Sequence, residues 1–271
     1  MKKIVIKPIK KPLSLTRKLI YVLIALTVLL SVLLVILAFC KPQGIFKEKE
    51  PTPVFDLSDH EAALAPTLDY GDHYIDSTIF LGDYTVKQLL KLKLLPDGST
   101  SHQVWSGEDG DIPLDSNVGN VSIYIPSTRS CKPLSLMLEE RPPERIVITV
   151  GISNGVPYCD EAKFTSYYQS LIDVIKESSP DTIIILQSIF PVTKSAERKN
   201  PAISNDRINR ANEWIAKLAL DNDVHFLYTA AALMDDKGYL SADYAAEDGI
   251  NLNASGYRTA LRYLRTHGIY E

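Results

Sequence analysis

The sequence predicts an α/β domain on a parallel sheet covered on both faces, preceded by one N-terminal transmembrane helix. Three observations carry this. Short β-branched runs recur, most clearly Ile146-Val147-Ile148-Thr149-Val150 and Thr182-Ile183-Ile184-Ile185-Leu186, and continuous runs of that kind suit strands buried on both sides. Helical stripes separate them, and strands alternating with crossover helices wind into a parallel sheet. Far upstream, an uncharged run from Leu19 to Cys40 follows a strongly basic start.

Residues 1–18 hold seven basic side chains (Lys2, Lys3, Lys7, Lys10, Lys11, Arg17 and Lys18) and no acid. The 22 residues of 19–40 that follow are rich in Leu, Val and Ile. As a helix they would reach roughly 33 Å, enough for a bilayer core of about 30 Å. The basic flank predicts a cytoplasmic N-terminus and a single-pass anchor in the cell membrane, with everything after Cys40 extracytoplasmic. A cleaved signal peptide is a poorer description, because the apolar core is too long and Phe39-Cys40-Lys41 is a poor cleavage site. A lipoprotein box at Leu37-Ala38-Phe39-Cys40 would carry a bulky Phe39 where a small residue belongs.

Residues 41–76 read as a stalk, with Pro42, Pro51, Pro53 and Pro66, the charged run Lys47-Glu48-Lys49-Glu50 and little apolar periodicity. Asp72, His73 and Asp76 lie close together there, but a solvated loop describes them better than a metal site. The folded domain is then 77–271, a length suited to one domain. Its candidate strands are Thr78 to Leu81, Val121 to Ile125, the two runs above, and Val224 to Tyr228. Its helices run from Phe164 to Lys176, from Ile208 to Leu220 after a cap at Asn205 or Asp206, and from Tyr257 to Arg265. Residues 107–120, rich in Gly, Asp, Ser and Pro, read as a surface hairpin or loop insertion.

Beyond the seven basic residues of the tail, 22 basic side chains face 33 acidic ones. Phosphate backbones need neutralising Lys and Arg, so no nucleic-acid partner is expected. Cys131 and Cys159 could pair outside the cell or remain free, and spacing alone does not decide between these. No Cys or His pair has zinc-site spacing, and no cofactor motif is present.

On parallel sheets, ligands bind beyond the carboxyl ends of the strands. Gly82-Asp83-Tyr84 follows the first candidate strand. Gly151-Ile152-Ser153-Asn154-Gly155 follows the third and Ser188-Ile189-Phe190-Pro191-Val192 the fourth. Asp248-Gly249-Ile250-Asn251 precedes the last helix. With Pro180-Asp181 and the helix asparagines Asn209 and Asn212, this ordered set resembles the SGNH/GDSL hydrolase family over 77–267. The resemblance implies a flavodoxin-like three-layer sandwich. It also implies esterase-type chemistry, in which a Ser after Gly-Asp attacks an ester, a His takes its proton and an Asp three residues earlier orients the ring.

Carried over, the nucleophile position is Tyr84, the orienting acid Asp248 and the base position Asn251. The oxyanion and ligand-binding positions fall on Asp83, Tyr84, Gly151 and Asn154, with Ser153 an alternative to Asn154 because the usual Gly-x-Asn spacing is one residue longer here. A carboxamide accepts no proton, and a phenol with a pKa near 10 is a poor replacement for an activated hydroxyl. The catalytic set is therefore not intact. A rearranged set would need a base beside Ser153 or Ser188; of His60, His73, His102, His225 and His267 only His102, in a loop, could reach a cleft, and none is spaced to serve those serines. The expectation is a catalytically inactive, membrane-anchored domain binding an envelope glycan, acyl group or protein partner. The alternatives are an active esterase or O-acetyl esterase on envelope carbohydrate with a rearranged catalytic set, and a purely structural stalked domain.

Overall fold

The computed structural model describes residues 19–20, 22–31 and 55–269. Residues 19–20 and 22–31 are helical and exposed (α1). Among the described residues no helix is long and apolar enough to cross a membrane. The basic tail, most of the second half of the expected anchor and the first part of the expected stalk lie outside the described residues. The chain divides into two units, Met1–Thr52 and Pro53–Glu271, and the second carries the sheet and its covering helices.

Five strands form one parallel sheet: β1 (Thr78–Gly82), β2 (Val104–Trp105), β5 (Arg145–Thr149), β6 (Ile183–Gln187) and β7 (His225–Leu227). Their order is β2-β1-β5-β6-β7, the 2-1-3-4-5 winding of flavodoxin-type sheets, with the topological switch point between β1 and β5. The strand period of two sorts side chains to opposite faces. Leu81, Ile146, Ile148, Leu186 and Phe226 enter one core with α4 (Leu134–Glu140), α5 (Glu161–Ser178) and α7 (Asn205–Asp221). The short α6 (Lys194–Lys199) lies between β6 and α7. Phe80, Val147, Ile185 and Leu227 enter the other core with α2 (Asp72–Asp76), α3 (Tyr84–Lys91) and α8 (Ala254–Arg265). The three layers follow from continuous β-branched strands needing cover on both sides.

Four sequence expectations are corrected. The run Val121 to Ile125 does form a strand, β3 (Ser122–Ile125), but it pairs antiparallel with β4 (Ser130–Pro133) in a separate hairpin. The second strand of the main sheet is instead the two-residue β2, too short to leave a pattern. The stalk does not extend to residue 76. Ala63 bridges Phe226 on β7, Phe226 N–H donates to the Ala62 carbonyl at 2.9 Å, and Tyr74 and Ile75 are buried. Residues 107–120 are no surface insertion, because Ile112, Leu114 and Val118 enter the first core. Finally, α7 is capped at Ser204 without a side-chain bond, since Asn205 is occupied elsewhere. Cys131 and Cys159 are both free thiols.

Gly82 shows how tightly β1 is seated. A Cβ there would stand 2.2 Å from Val86 Cγ2 and 2.5 Å from the Thr149 carbonyl oxygen. Gly82→Ala should therefore cost about 2–3 kcal/mol of stability through overpacking, visible as a lower urea midpoint with an unchanged slope.

Candidate functional site at the switch point

The turns after β1 and β5 meet at Asp83. Its side chain is 1% exposed. One carboxylate oxygen caps α3 by accepting from Thr85 N–H at 3.1 Å and from the Thr85 hydroxyl. The other accepts from Gly151 N–H at 3.1 Å. Burial pushes the Asp83 carboxyl up from its ordinary value, against these three hydrogen bonds, and the nearby Asp111 charge adds to the rise. Gly151, at φ +125°, sits in a backbone region that side chains disfavour, with Ile189 and Phe164 close around it. Asp83 is thus a clamp between two strand ends.

Tyr84 opens α3 and is 43% exposed. Gly110 packs against it, and a Cβ on that glycine would meet the ring at 3.3 Å. Asn154 donates from its Nδ2 to both carboxylate oxygens of Asp111 at 2.8 Å. Of the donors at the candidate oxyanion positions, the Gly151 N–H is therefore engaged by Asp83 and the Asn154 amide by Asp111. Ser153 is exposed. Ser188 is fully buried, and its Oγ accepts from Ala230 N–H at 3.0 Å, so it packs as a structural residue.

The loop before α8 brings in the last pair. Asp248 Oδ1 accepts from the backbone N–H groups of Ile250 and Asn251 at 2.9 and 2.8 Å. Its Oδ2 accepts from Asn251 Nδ2 at 2.6 Å. Burial raises the Asp248 carboxyl, but these hydrogen bonds and the Lys91 charge outweigh it and hold the group below its ordinary value. The loop is anchored by Thr193 N–H donating to the Gly249 carbonyl at 2.9 Å. Asn253 caps α8 through Ser255 and Gly256 N–H and donates back to the Asp243 and Ala245 carbonyls. Tyr257 ties this helix to the site, its hydroxyl donating to the Thr85 carbonyl. Burial, then the charges of Asp83 and Asp248, push its phenol up.

The structure therefore brings Asp83, Tyr84, Gly151 and Asn154 to one sheet end, with the Asp248–Asn251 pair beside them. The crevice enclosed by Asp83, Thr149, Ile152, Phe190 and Ile250 is about 10 Å³, close to the least that holds one water. Beneath it, Gln187 Nε2 donates to the Thr149 hydroxyl at 3.0 Å and the Thr229 hydroxyl donates to Gln187 Oε1 at 3.3 Å. Sequence reasoning missed this buried chain and missed Asp111. A polar Gln187 ending an apolar strand was the available signal for the first. Among the described residues no group of three acidic, His or Cys side chains could hold a metal.

A GDSL-like Lipase/Acylhydrolase family model matches residues 124–259, half of the chain. The chain belongs to the GDSL-like lipase/acylhydrolase family. The matched span holds Gly151, Ser153, Asn154, Asp248 and Asn251, and begins downstream of Gly82-Asp83-Tyr84. No curated protein matches the chain. Several solved structures do. A Streptococcus pneumonia protein provisionally described as a platelet activating factor is 21% identical, with 77% of this chain and 86% of that one covered and a TM-score of 0.48. A GDSL-like lipase from Bacteroides thetaiotaomicron is 18% identical, with 75% and 90% covered and a TM-score of 0.42. A catalytic mutant of an acetylxylan esterase from Geobacillus stearothermophilus is 17% identical, with 71% and 94% covered and a TM-score of 0.42.

Within this GDSL-like domain, the Asp248 carboxylate takes its side-chain hydrogen bond from the Asn251 carboxamide. The histidines stand elsewhere. His60 Nδ1 accepts from Ala62 N–H at 3.2 Å, His102 faces Asp97 at 3.8 Å, and His267 stacks on Tyr263. No serine takes part in these contacts.

Proposed function

We propose that this GDSL-like domain is catalytically silent, is held outside the cell by a single-pass N-terminal anchor, and works in ligand or partner binding at the cell envelope. The observation that carries the reading is the bond from Asn251 Nδ2 to Asp248 at 2.6 Å. It fills the place of an oriented base with a group that cannot accept a proton. Three features support it. The nucleophile position holds a half-exposed phenol, the neighbouring amide donors are already engaged, and the crevice beside them is only about 10 Å³. The basic tail and the apolar run of 19–40 support the anchor.

The purified full chain in detergent is expected to hydrolyse p-nitrophenyl acetate no faster than the same protein after heat denaturation. Saturable turnover that Ser153→Ala abolishes would establish an active esterase with a rearranged catalytic set and overturn the silent reading.

A further inference from the structure

Part of the strand-end site is occupied by the domain itself. Residues 107–111, Gly107-Glu108-Asp109-Gly110-Asp111, form a turn between Ser106 and Ile112, both buried. Three contacts tie this turn to the site. The Asp111 carboxylate accepts from Asn154 Nδ2 through both oxygens at 2.8 Å. Lys87, one turn along α3 from Tyr84, donates from Nζ to the Glu108 carbonyl. Gly110 lies against both of these α3 residues, so that a Cβ there would meet Lys87 Cδ at 2.6 Å and the Tyr84 ring at 3.3 Å.

The turn carries no apolar side chain, so burial adds little to these polar contacts. Its two ends are fixed independently of it. The Ser106 carbonyl accepts from Tyr124 N–H at 2.9 Å, and Ile112 enters the first core. At its base the backbone closes on itself, since a Cβ on Gly107 would run into the Asp111 carbonyl. A turn pinched at its base and held only by polar contacts opens without unfolding the sheet.

The Asp111 carboxylate makes no ion pair with a described residue and meets a neutral amide instead. Across the site stands the Asp83 carboxyl, raised in pKa by burial and further by the Asp111 charge. Like charge therefore opposes the closed turn, and the exposed bonds to Asn154 oppose its opening. Another oxygen acceptor replaces such bonds one for one. The group best matched to Asn154 is the one already there: a carboxylate offers it two oxygens, where a neutral ester or amide offers one carbonyl.

We propose that residues 107–111 are an autoinhibitory latch, in which Asp111 stands in the place of a ligand carboxylate and opening of the turn frees Asn154 and the Tyr84 ring together. The inference rests on the binding reading above and names its ligand class, a molecule that carries a carboxylate.

The test is NMR on the full chain in detergent, with acetate as the probe and chloride at equal ionic strength as the control. It follows the Asn154 side-chain amide signal and hydrogen exchange at Gly110 N–H, which donates to the Gly107 carbonyl at 2.9 Å. Asp111→Ala should move the Asn154 signal, and acetate should return it towards its wild-type position and saturate. Wild type should need at least tenfold more acetate, because only its open fraction binds. Lys87→Met cuts the tether to Glu108 and leaves Asp111 in place; it should speed Gly110 exchange severalfold. An Asn154 signal that acetate leaves unmoved in Asp111→Ala, equal acetate demand in variant and wild type, or unchanged Gly110 exchange in Lys87→Met would overturn the proposal. Exchange along β5 at the wild-type rate shows that each variant is folded, and Lys87→Met carries the test where Asp111→Ala folds poorly. The ester assay is a separate readout: turnover there would sink the silent reading without moving the Asn154 response to acetate.

Discussion

Replacing Tyr84→Ser and Asn251→His together is expected to raise p-nitrophenyl acetate hydrolysis by the full chain about 10²- to 10³-fold over wild type, the lower part of the range that general base catalysis supplies. The backbone of residue 251 is already fixed by its N–H bond to Asp248 at 2.8 Å. The Asn251 side chain already points a donor at the second carboxylate oxygen at 2.6 Å. An imidazole there would inherit that bond through its Nδ1–H, leaving Nε2 free to accept a proton. Asp248, held below its ordinary pKa of 3.8, is ionised at neutral pH and would stabilise the imidazolium that forms. Either substitution alone should yield little, because nucleophile and base act as a unit. The gain should stay well short of an intact enzyme while Asp111 holds Asn154. Adding Asp111→Ala to the pair is expected to raise turnover about tenfold more by releasing an oxyanion donor, less than the roughly 10²- to 10³-fold that a fully aimed donor contributes. A folded double variant with no gain would mean that the remaining contacts, and not the two lost groups alone, close the crevice.

How much of the fold was legible in the sequence depended on how far each signal extends. The core strands β5 and β6 were legible because five consecutive apolar or β-branched positions leave no other reading. The long helices were legible because their stripes run three turns or more. The strand-end residues could then be ordered; Asp83 and Gly151 do meet, and Ile250, between Asp248 and Asn251, lines the same crevice. The two-residue β2 was illegible, since Val104-Trp105 has no period, and β3 took its place in the count because alternation does not say which sheet a strand joins. Residues 62–64 gave no strand signal either, because their single bridge to β7 is a tertiary event. The engagement of Asn154 by Asp111 spans 43 residues of chain and a loop of Gly, Asp and Pro, where no periodicity relates one residue to another. The helix asparagines Asn209 and Asn212 drew notice as a pair, but no role was legible for either: Asn212 bonds Ile189, and its working companion is Asn205, seven residues earlier on the same helix, and not Asn209.

That pairing sets up the largest stability effect expected in the domain. Asn212 is fully buried. Its Oδ1 accepts from Ile189 N–H at 2.7 Å and its Nδ2 donates to the Ile189 carbonyl at 3.0 Å. Asn205 does the same for Val192, at 2.9 Å in both directions, and takes a further bond to Glu197. The segment after β6 has left the sheet and is not helical, so its backbone groups have no ladder to satisfy them, and the two asparagines on α7 take that part. Asn212→Ala leaves a donor and an acceptor of Ile189 buried and unpaired, each worth about 1–3 kcal/mol, and opens a small void. A loss of about 4 kcal/mol is expected, or a fall in melting temperature on the order of 10 °C for a domain of this size. Asn209→Ala, on the same helix but without a side-chain hydrogen bond, should cost about 0.5 kcal/mol or less. Thermal unfolding of the two variants side by side gives the comparison, and equal melting temperatures would show that Ile189 finds other partners and that the turn carrying Phe190 to the site is not pinned by α7.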